Sequence, residues 1–115
     1  MPEEIVPVLH VKDARETTKW YGRLGFTLES EHQFADNMPV YAFLRRGENA
    51  LHLSEHMGDA KPNTLTYMYV DEVDSIAQEF GEPIRDQPWS KREVWLTDPD
   101  GNRWRIGAPG DQGNS

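Results

Sequence analysis

The chain has 115 residues, with 20 acidic and 12 basic side chains, no cysteine and a formal net charge of −8 at pH 7. This length predicts one domain, or two half-domains that cannot bury separate cores. The lack of cysteine excludes disulfides and thiolate metal sites, and the acidic balance disfavours nucleic acids and anionic membranes as partners. No apolar stretch approaches the ~20 residues that span a bilayer, and no leader pattern is present, so we expect a cytoplasmic protein.

The first half of the chain predicts the element order βαβββ. Asp13 followed by Glu16 forms a capping-box-like pattern at the start of a helix, and Gly25 ends that helix. Gly47 and Asn49 tolerate the positive φ angles that a hairpin turn requires. The predicted elements are a strand (5–11), a helix (14–24), a strand (26–34) and a hairpin (40–45 with 50–55).

The same order restarts in the second half. Asp71 or Glu72 is expected to cap a second helix that ends near Gly81. The predicted elements are a strand (64–70), this helix, an irregular region with a remnant strand (82–90), and two strands (92–97 and 103–106). The chain is therefore predicted to form one domain of two modules, about 5–55 and 64–107. The polar, Gly-rich tail, about 108–115, is expected to be disordered.

Two stretches of the chain, 43–53 and 96–106, align without a gap as a strand, a turn and a strand. The alignment pairs Asn49 with Asn102, and it pairs Leu51 with Trp104. It also pairs His52 with Arg105. The repeat predicts that His52 and Arg105 are equivalent positions, and we expect them to face a shared cavity.

Strand alternation assigns the side chains to two faces. The face that packs on the helices is predicted to hold Leu9, Val11, Leu51, Leu53, Met68, Val70, Val94, Leu96, Trp104 and Ile106. The opposite, cleft-lining face is predicted to hold Val6, Val8, His10, His52, Ser54, Leu65, Tyr67, Tyr69, Glu93, Trp95, Arg103 and Arg105. Alternation leaves the faces of Tyr41 and Phe43 open.

Four motifs occur in a fixed order along the chain: 7–13 (PVLHVKD), 20–26 (WYGRLGF), 51–56 (LHLSEH) and 98–102 (DPDGN). Together they resemble the glyoxalase and bleomycin-resistance family of the vicinal oxygen chelate superfamily. The resemblance implies an α+β fold in which two βαβββ modules form a curled mixed sheet with a cleft. It also implies that a second chain completes the cleft, in a homodimer that can be domain-swapped.

Enzymes that this chain resembles hold a divalent metal with residues of the first and fourth strands of each module. Here the resemblance places those ligands at Val6, His52, Leu65 and Arg105. Only His52 can donate a lone pair to a metal. We therefore expect no metal and no other cofactor. A lyase, isomerase or dioxygenase with a noncanonical metal site stays open as an alternative, as does a domain whose cleft has lost its role.

The predicted cleft mixes Trp, Tyr and His with a few charges, which suits a flat, partly aromatic ligand. The resemblance implies an antibiotic that is sequestered without any bond being changed, which would give drug resistance. Tyr67, Tyr69 and Trp95 could instead fill the barrel mouth or a dimer interface. The candidate ligand-binding residues are His10, Phe34, Met38, His52, Ser54, Tyr67, Tyr69, Trp89, Trp95, Arg103 and Arg105.

Overall fold

A computed structural model describes residues 3–88 and 90–108, with the side chains of 90 and 91 left out. Within this part of the chain there are two helices and two four-stranded mixed sheets. The elements are β1 (Val8–His10), α1 (Ala14–Arg23), β2 (Thr27–Gln33), β3 (Val40–Arg46), β4 (Asn49–Ser54), β5 (Leu65–Tyr69), α2 (Val73–Phe80), β6 (Arg85–Gln87), β7 (Ser90–Thr97) and β8 (Arg103–Gly107). The predicted α+β class and the repeated βαβββ order are confirmed.

The first unit comprises the chain up to Thr64 together with Pro99–Asn102. Its strand order is β1-β4-β3-β2, with β1 parallel to β4 and the other pairs antiparallel. Helix α1 packs against β2, β3 and β4. In β3 and β4, side chains at alternate positions are buried on the side of the sheet that packs against the helix. This alternation is typical of a sheet with one face on the core.

The second unit comprises Leu65–Asp98 and residues 103–108 of the described chain. Its strand order is β5-β8-β7-β6, with β5 parallel to β8 and the other pairs antiparallel. Helix α2 packs against β7. The two units thus share one topology, which is the structural counterpart of the sequence repeat.

Local sequence explains where the helices begin and end. The Asp13 carboxylate accepts a 3.1 Å hydrogen bond from the Glu16 backbone N–H, as predicted for the start of α1. Glu72 occupies the N-cap position of α2, but its side chain makes no capping hydrogen bond. Helix α2 ends at Gly81, whose φ of 66° lies in the left-handed region that glycine favours.

Strand β1 is shorter than predicted, because Pro7 has no N–H to contribute to a ladder. The chain around it is nevertheless tied to β4. The Pro7 carbonyl accepts from the His52 N–H at 3.0 Å, and the Val11 N–H donates to the Ser54 carbonyl at 3.0 Å.

The predicted core is confirmed in full. All ten residues assigned to the helix-packed face are buried: Leu9, Val11, Leu51, Leu53, Met68, Val70, Val94, Leu96, Trp104 and Ile106. Among the described residues, neither helix has the length and apolar character needed to cross a membrane.

Candidate functional site

In each unit, aromatic side chains gather on the sheet face that is turned away from the helix. We call these surfaces the His52 face, defined by His10, Tyr41, Phe43 and His52, and the Trp95 face, defined by Tyr67, Tyr69, Arg85, Glu93, Trp95, Arg103 and Arg105. The sequence repeat places His52 and Arg105 at equivalent positions, and the strand register agrees. His52 lies opposite Val8 and Phe43, and Arg105 lies opposite Tyr67 and Trp95 in the corresponding strands.

Three rings of the His52 face, those of Tyr41, Phe43 and His52, form a cluster. The His52 ring centroid lies 4.6 Å from that of Phe43 and 5.2 Å from that of Tyr41, both in edge-on geometry. The Tyr41 hydroxyl and His52 Nδ1 are 2.9 Å apart. Partial burial lowers the pKa of His52, with Glu4 opposing the shift, and partial burial also raises the pKa of Tyr41, with Asp59 adding to it. Both shifts favour neutral side chains, so the Tyr41 hydroxyl can donate to the imidazole.

Tyr41 and Phe43 are the residues whose face the sequence left open. Val40, Ala42 and Leu44 are buried on the helix side, so Tyr41 and Phe43 point to the opposite side, beside His52. Both residues lie on the His52 face, although neither was among the candidate ligand-binding residues. Residues 40–44 of β3 are all hydrophobic or aromatic, so the sequence did not distinguish the two faces of this strand.

His10 and Ser54 are register partners on β1 and β4. His10 is half-buried, and its backbone carbonyl accepts from Asn102 Nδ2 at 3.0 Å. Ser54 was expected to line the cleft, but it is fully buried. Its hydroxyl donates to the Asp59 carboxylate at 2.7 Å and accepts from the His56 N–H at 3.1 Å. The segment after β4 therefore uses this hydroxyl internally.

Phe34 and Met38 lie in the segment that joins β2 to β3. The Phe34 side chain is 81% exposed, with its ring centroid 6.0 Å from that of His32. Met38 is 44% exposed and borders an open groove of about 650 Å³ next to Asp13 and Glu55. The structure thus places Met38 beside a polar groove at the start of α1.

The Trp95 face is organised around a buried carboxylate. Glu93 is fully buried, and its Oε1 accepts from the Trp95 indole N–H at 2.7 Å. Its Oε2 accepts a hydrogen bond from the Tyr67 hydroxyl. Glu93 was assigned to the cleft face but was not counted among the ligand-binding candidates. Its role is to hold the two aromatic side chains in place.

Guanidinium groups lie over the Trp95 indole. The Arg85 guanidinium carbon is 4.1 Å from the ring centroid, and that of Arg105 is 4.4 Å away. Such cation–π contacts stabilise the ring position. Arg85 lies on the short strand β6, which the sequence predicted only as a remnant, so its contact with Trp95 was not anticipated.

A small pocket of about 170 Å³ adjoins this arrangement, between Leu65, Trp95, Arg103 and Arg105. Tyr69 lies outside that pocket, with 57% of its surface exposed and its ring centroid 4.9 Å from that of Tyr67. The structure therefore brings together five of the six candidates of the second unit: Tyr67, Tyr69, Trp95, Arg103 and Arg105. Trp89, a further candidate, lies outside the described residues.

The positions implied for a metal do not fit one. Val6 and Leu65 have no lone pair, and Arg105 is a permanent cation. His52 is the one position of the four with a lone pair for a metal, and one imidazole falls short of the three protein ligands that a catalytic metal site needs. Over residues 3–88 and 90–108, no three His, Asp or Glu side chains come together in a group that could hold a metal ion.

A family model described as "Glyoxalase superfamily protein" matches residues 1–113. The chain belongs to the glyoxalase superfamily. No curated protein matches this superfamily member by sequence.

Solved structures share the fold of this glyoxalase superfamily chain. A bleomycin resistance determinant encoded on the transposon Tn5 is 21% identical, with a TM-score of 0.72 over 94% of this chain and 98% of that one. The bleomycin-binding protein of Streptomyces verticillus, complexed with copper(II)-bleomycin, is 28% identical, with a TM-score of 0.66 over 94% and 97%. An antibiotic-binding protein from Streptomyces sp. CB03234 is 21% identical, with a TM-score of 0.75 over 96% and 98%.

Proposed function

We propose that this chain binds a small, flat aromatic or hydrophobic antibiotic and sequesters it without changing any bond. The observation that carries the proposal is the Trp95 face. There, a half-buried indole is fixed through its N–H by Glu93 and lies on the sheet face away from the helix-packed core. A ring held in one orientation loses little freedom when a ligand packs against it.

The chemistry of the two faces supports noncovalent binding. Each aromatic contact contributes about 0.5–1.5 kcal/mol beyond area burial, so several together give useful affinity. The proposed contacts are His10, Phe34, Met38, His52, Tyr67, Tyr69, Trp95, Arg103 and Arg105, with Tyr41 and Phe43 added. Ser54 is left out of the direct contacts because its hydroxyl is bonded internally.

The similar proteins also support a binding role, because their names describe bleomycin-binding, bleomycin-resistance and antibiotic-binding proteins. The side chains at the four implied metal positions, Val6, His52, Leu65 and Arg105, also support a binding role, because only His52 can act as a metal ligand. Without carboxylates or further imidazoles at these positions, metal-dependent lyase, isomerase or dioxygenase chemistry lacks its centre.

The proposal includes a homodimer. Large apolar side chains remain exposed on the chain, including Ile5, Phe34, Leu65 and Tyr69, and a second copy could cover some of them. Size-exclusion chromatography with light scattering should give about twice the chain mass of 13.3 kDa. A mass of one chain at micromolar concentration would remove the dimer from the proposal.

The binding role is tested by titrating a diverse panel of aromatic antibiotics into EDTA-treated protein while tryptophan fluorescence is recorded. We expect saturable quenching without added metal, and mass spectrometry should recover the drug unchanged. Stoichiometric zinc, iron, manganese or nickel in the purified protein, together with conversion of a ligand, would instead establish the enzymatic alternative.

A further inference from the structure

We propose that the Trp95 face selects aromatic ligands that carry an anionic group, such as a carboxylate. This inference rests on the proposed binding function and specifies its ligand class. It follows from the charges around the indole ring. Arg85 and Arg105 place their guanidinium carbons within 4.4 Å of the ring centroid, and Arg103 shares the face on β8. Arginine keeps its positive charge at every physiological pH.

The one acidic group on this face can offset only one of these three charges. Glu93 is the cross-strand partner of Arg85, but it is fully buried and its two oxygens accept hydrogen bonds from Trp95 and Tyr67. Ion pairs elsewhere in the described part of the chain engage arginines such as Arg15, Arg45 and Arg92.

Within those same described residues, no ion pair engages Arg85, Arg103 or Arg105. The Trp95 face therefore carries three guanidinium charges against one buried carboxylate. A ligand that stacks here meets a surplus of positive charge at its edge.

The geometry of arginine suits this task. A guanidinium that lies over an aromatic ring keeps its N–H donors in its own plane, where a carboxylate can accept two of them at once. An aromatic carboxylate could thus stack near Trp95 while its anionic group is bound by Arg85 or Arg105. A neutral ligand of the same shape gains the stacking alone.

The net charge of −8 acts in the opposite direction at long range, because it attracts cations. At physiological salt, however, charges beyond a Debye length of about 8 Å are largely screened. Groups in contact with the ligand then decide its charge preference. Because Glu93 is buried, the charged groups that a ligand can contact on the Trp95 face are guanidiniums. An aromatic cation is therefore disfavoured there.

Two matched probes test the inference on the full-length protein: anthraquinone-2-carboxylate and anthraquinone-2-carboxamide. Dissociation constants are measured by equilibrium dialysis. We expect the carboxylate to bind at least about fivefold more tightly, a ratio that corresponds to one charge-assisted contact. In the double variant Arg85→Gln/Arg105→Gln the ratio should fall below about twofold. Arg15→Gln, which removes an exposed arginine of α1, is the matched control and should keep the wild-type ratio.

A second measurement uses the wild-type protein alone, so its result does not depend on whether a variant folds correctly. For the wild-type protein, raising the salt concentration from about 50 to about 500 mM should narrow the difference between the two probes, because the contact is electrostatic. Equal affinities for both probes at low salt would overturn the anionic ligand class but leave aromatic binding intact. If neither probe binds and the antibiotic panel gives no quenching, the proposed function itself fails.

Discussion

The indole N–H of Trp95 donates a 2.7 Å hydrogen bond to the carboxylate of Glu93, two residues earlier on the same strand. Residues two apart on a strand share a face, so a buried acid beside a tryptophan can fix the ring directly. Tyr67 lies on β5, which is separated from β7 by β8 in the sheet, and its hydroxyl donates to the other oxygen of the carboxylate. Glu93 thus links the two aromatic side chains of this face.

Replacing Glu93 should destabilise the fold. Glu93→Ala leaves two donors without their acceptor in a buried site, so we expect the free energy of unfolding to fall by at least about 2 kcal/mol. Urea denaturation followed by circular dichroism measures it. Glu48→Ala, at an exposed position of the β3–β4 turn, should change stability by less than about 0.5 kcal/mol. Equal effects of the two substitutions would contradict this role for Glu93.

The repeat supplies its own control for a second prediction. Asn102 is fully buried, donates to the His10 carbonyl at 3.0 Å and accepts from the Thr64 N–H and hydroxyl at 3.3 and 3.1 Å. Asn49, its repeat equivalent, is exposed. Asn102→Ala should therefore cost about 2–3 kcal/mol in thermal or urea unfolding, and Asn49→Ala less than about 0.5 kcal/mol. Similar losses for both would show that the buried hydrogen bonds contribute little.

Removal of the central ring should weaken ligand binding. Trp95→Ala is expected to raise the Kd of a quenching antibiotic, or of the anthraquinone probes, at least about fivefold, which corresponds to about 1 kcal/mol. Equilibrium dialysis is the suitable readout, because the substitution itself changes the fluorescence. Trp20→Phe, on α1, should leave the Kd unchanged. An unaltered Kd in Trp95→Ala would remove this residue from the site.

His52 makes stability depend on pH. Its pKa in the folded protein is lowered by burial from the ordinary 6.5, so between the lowered value and 6.5 the unfolded chain binds more protons than the folded one. Stability from this group is present in full above about pH 6.5 and is lost as the pH falls through the folded pKa. Urea unfolding at about pH 7.5 and about pH 5 should show a smaller difference in His52→Gln than in the wild type. His32→Gln, at an exposed position of β2, is the control, and an unchanged difference in His52→Gln would contradict the assignment.

The sequence predicted the elements and the core because its strands alternate clearly. Leu51 and Leu53 flank His52 on β4, and both are buried as expected. On β3 the residues from Val40 to Leu44 are all hydrophobic or aromatic, so they do not alternate between polar and apolar. Alternation therefore could not assign Tyr41 and Phe43 to a face. The burial of Val40, Ala42 and Leu44, together with the pairing of β3 with β4, assigns those two rings to the His52 face.

Alternation also cannot reveal which part of a face is covered. Ser54 is on the predicted side of β4, yet the hydrogen bond from its hydroxyl to Asp59 depends on how a loop folds back. Glu93 is buried for a related reason, because Tyr67 and Trp95 bond to its oxygens. The Ser54–Asp59 and Tyr67–Glu93 hydrogen bonds join different parts of the chain, and periodicity within one strand carries no information about such contacts.

The turn at Pro99–Asn102 belongs to the first unit, although it lies far along the chain. Asn102 bonds to the His10 carbonyl 92 positions earlier, and the Asp100 carboxylate accepts from the Lys12 N–H 88 positions earlier at 2.9 Å. A nascent chain that has reached only Thr64 lacks both groups. The first unit is therefore completed only when translation has passed Asn102, and a gene cut at the midpoint would not encode two self-sufficient halves.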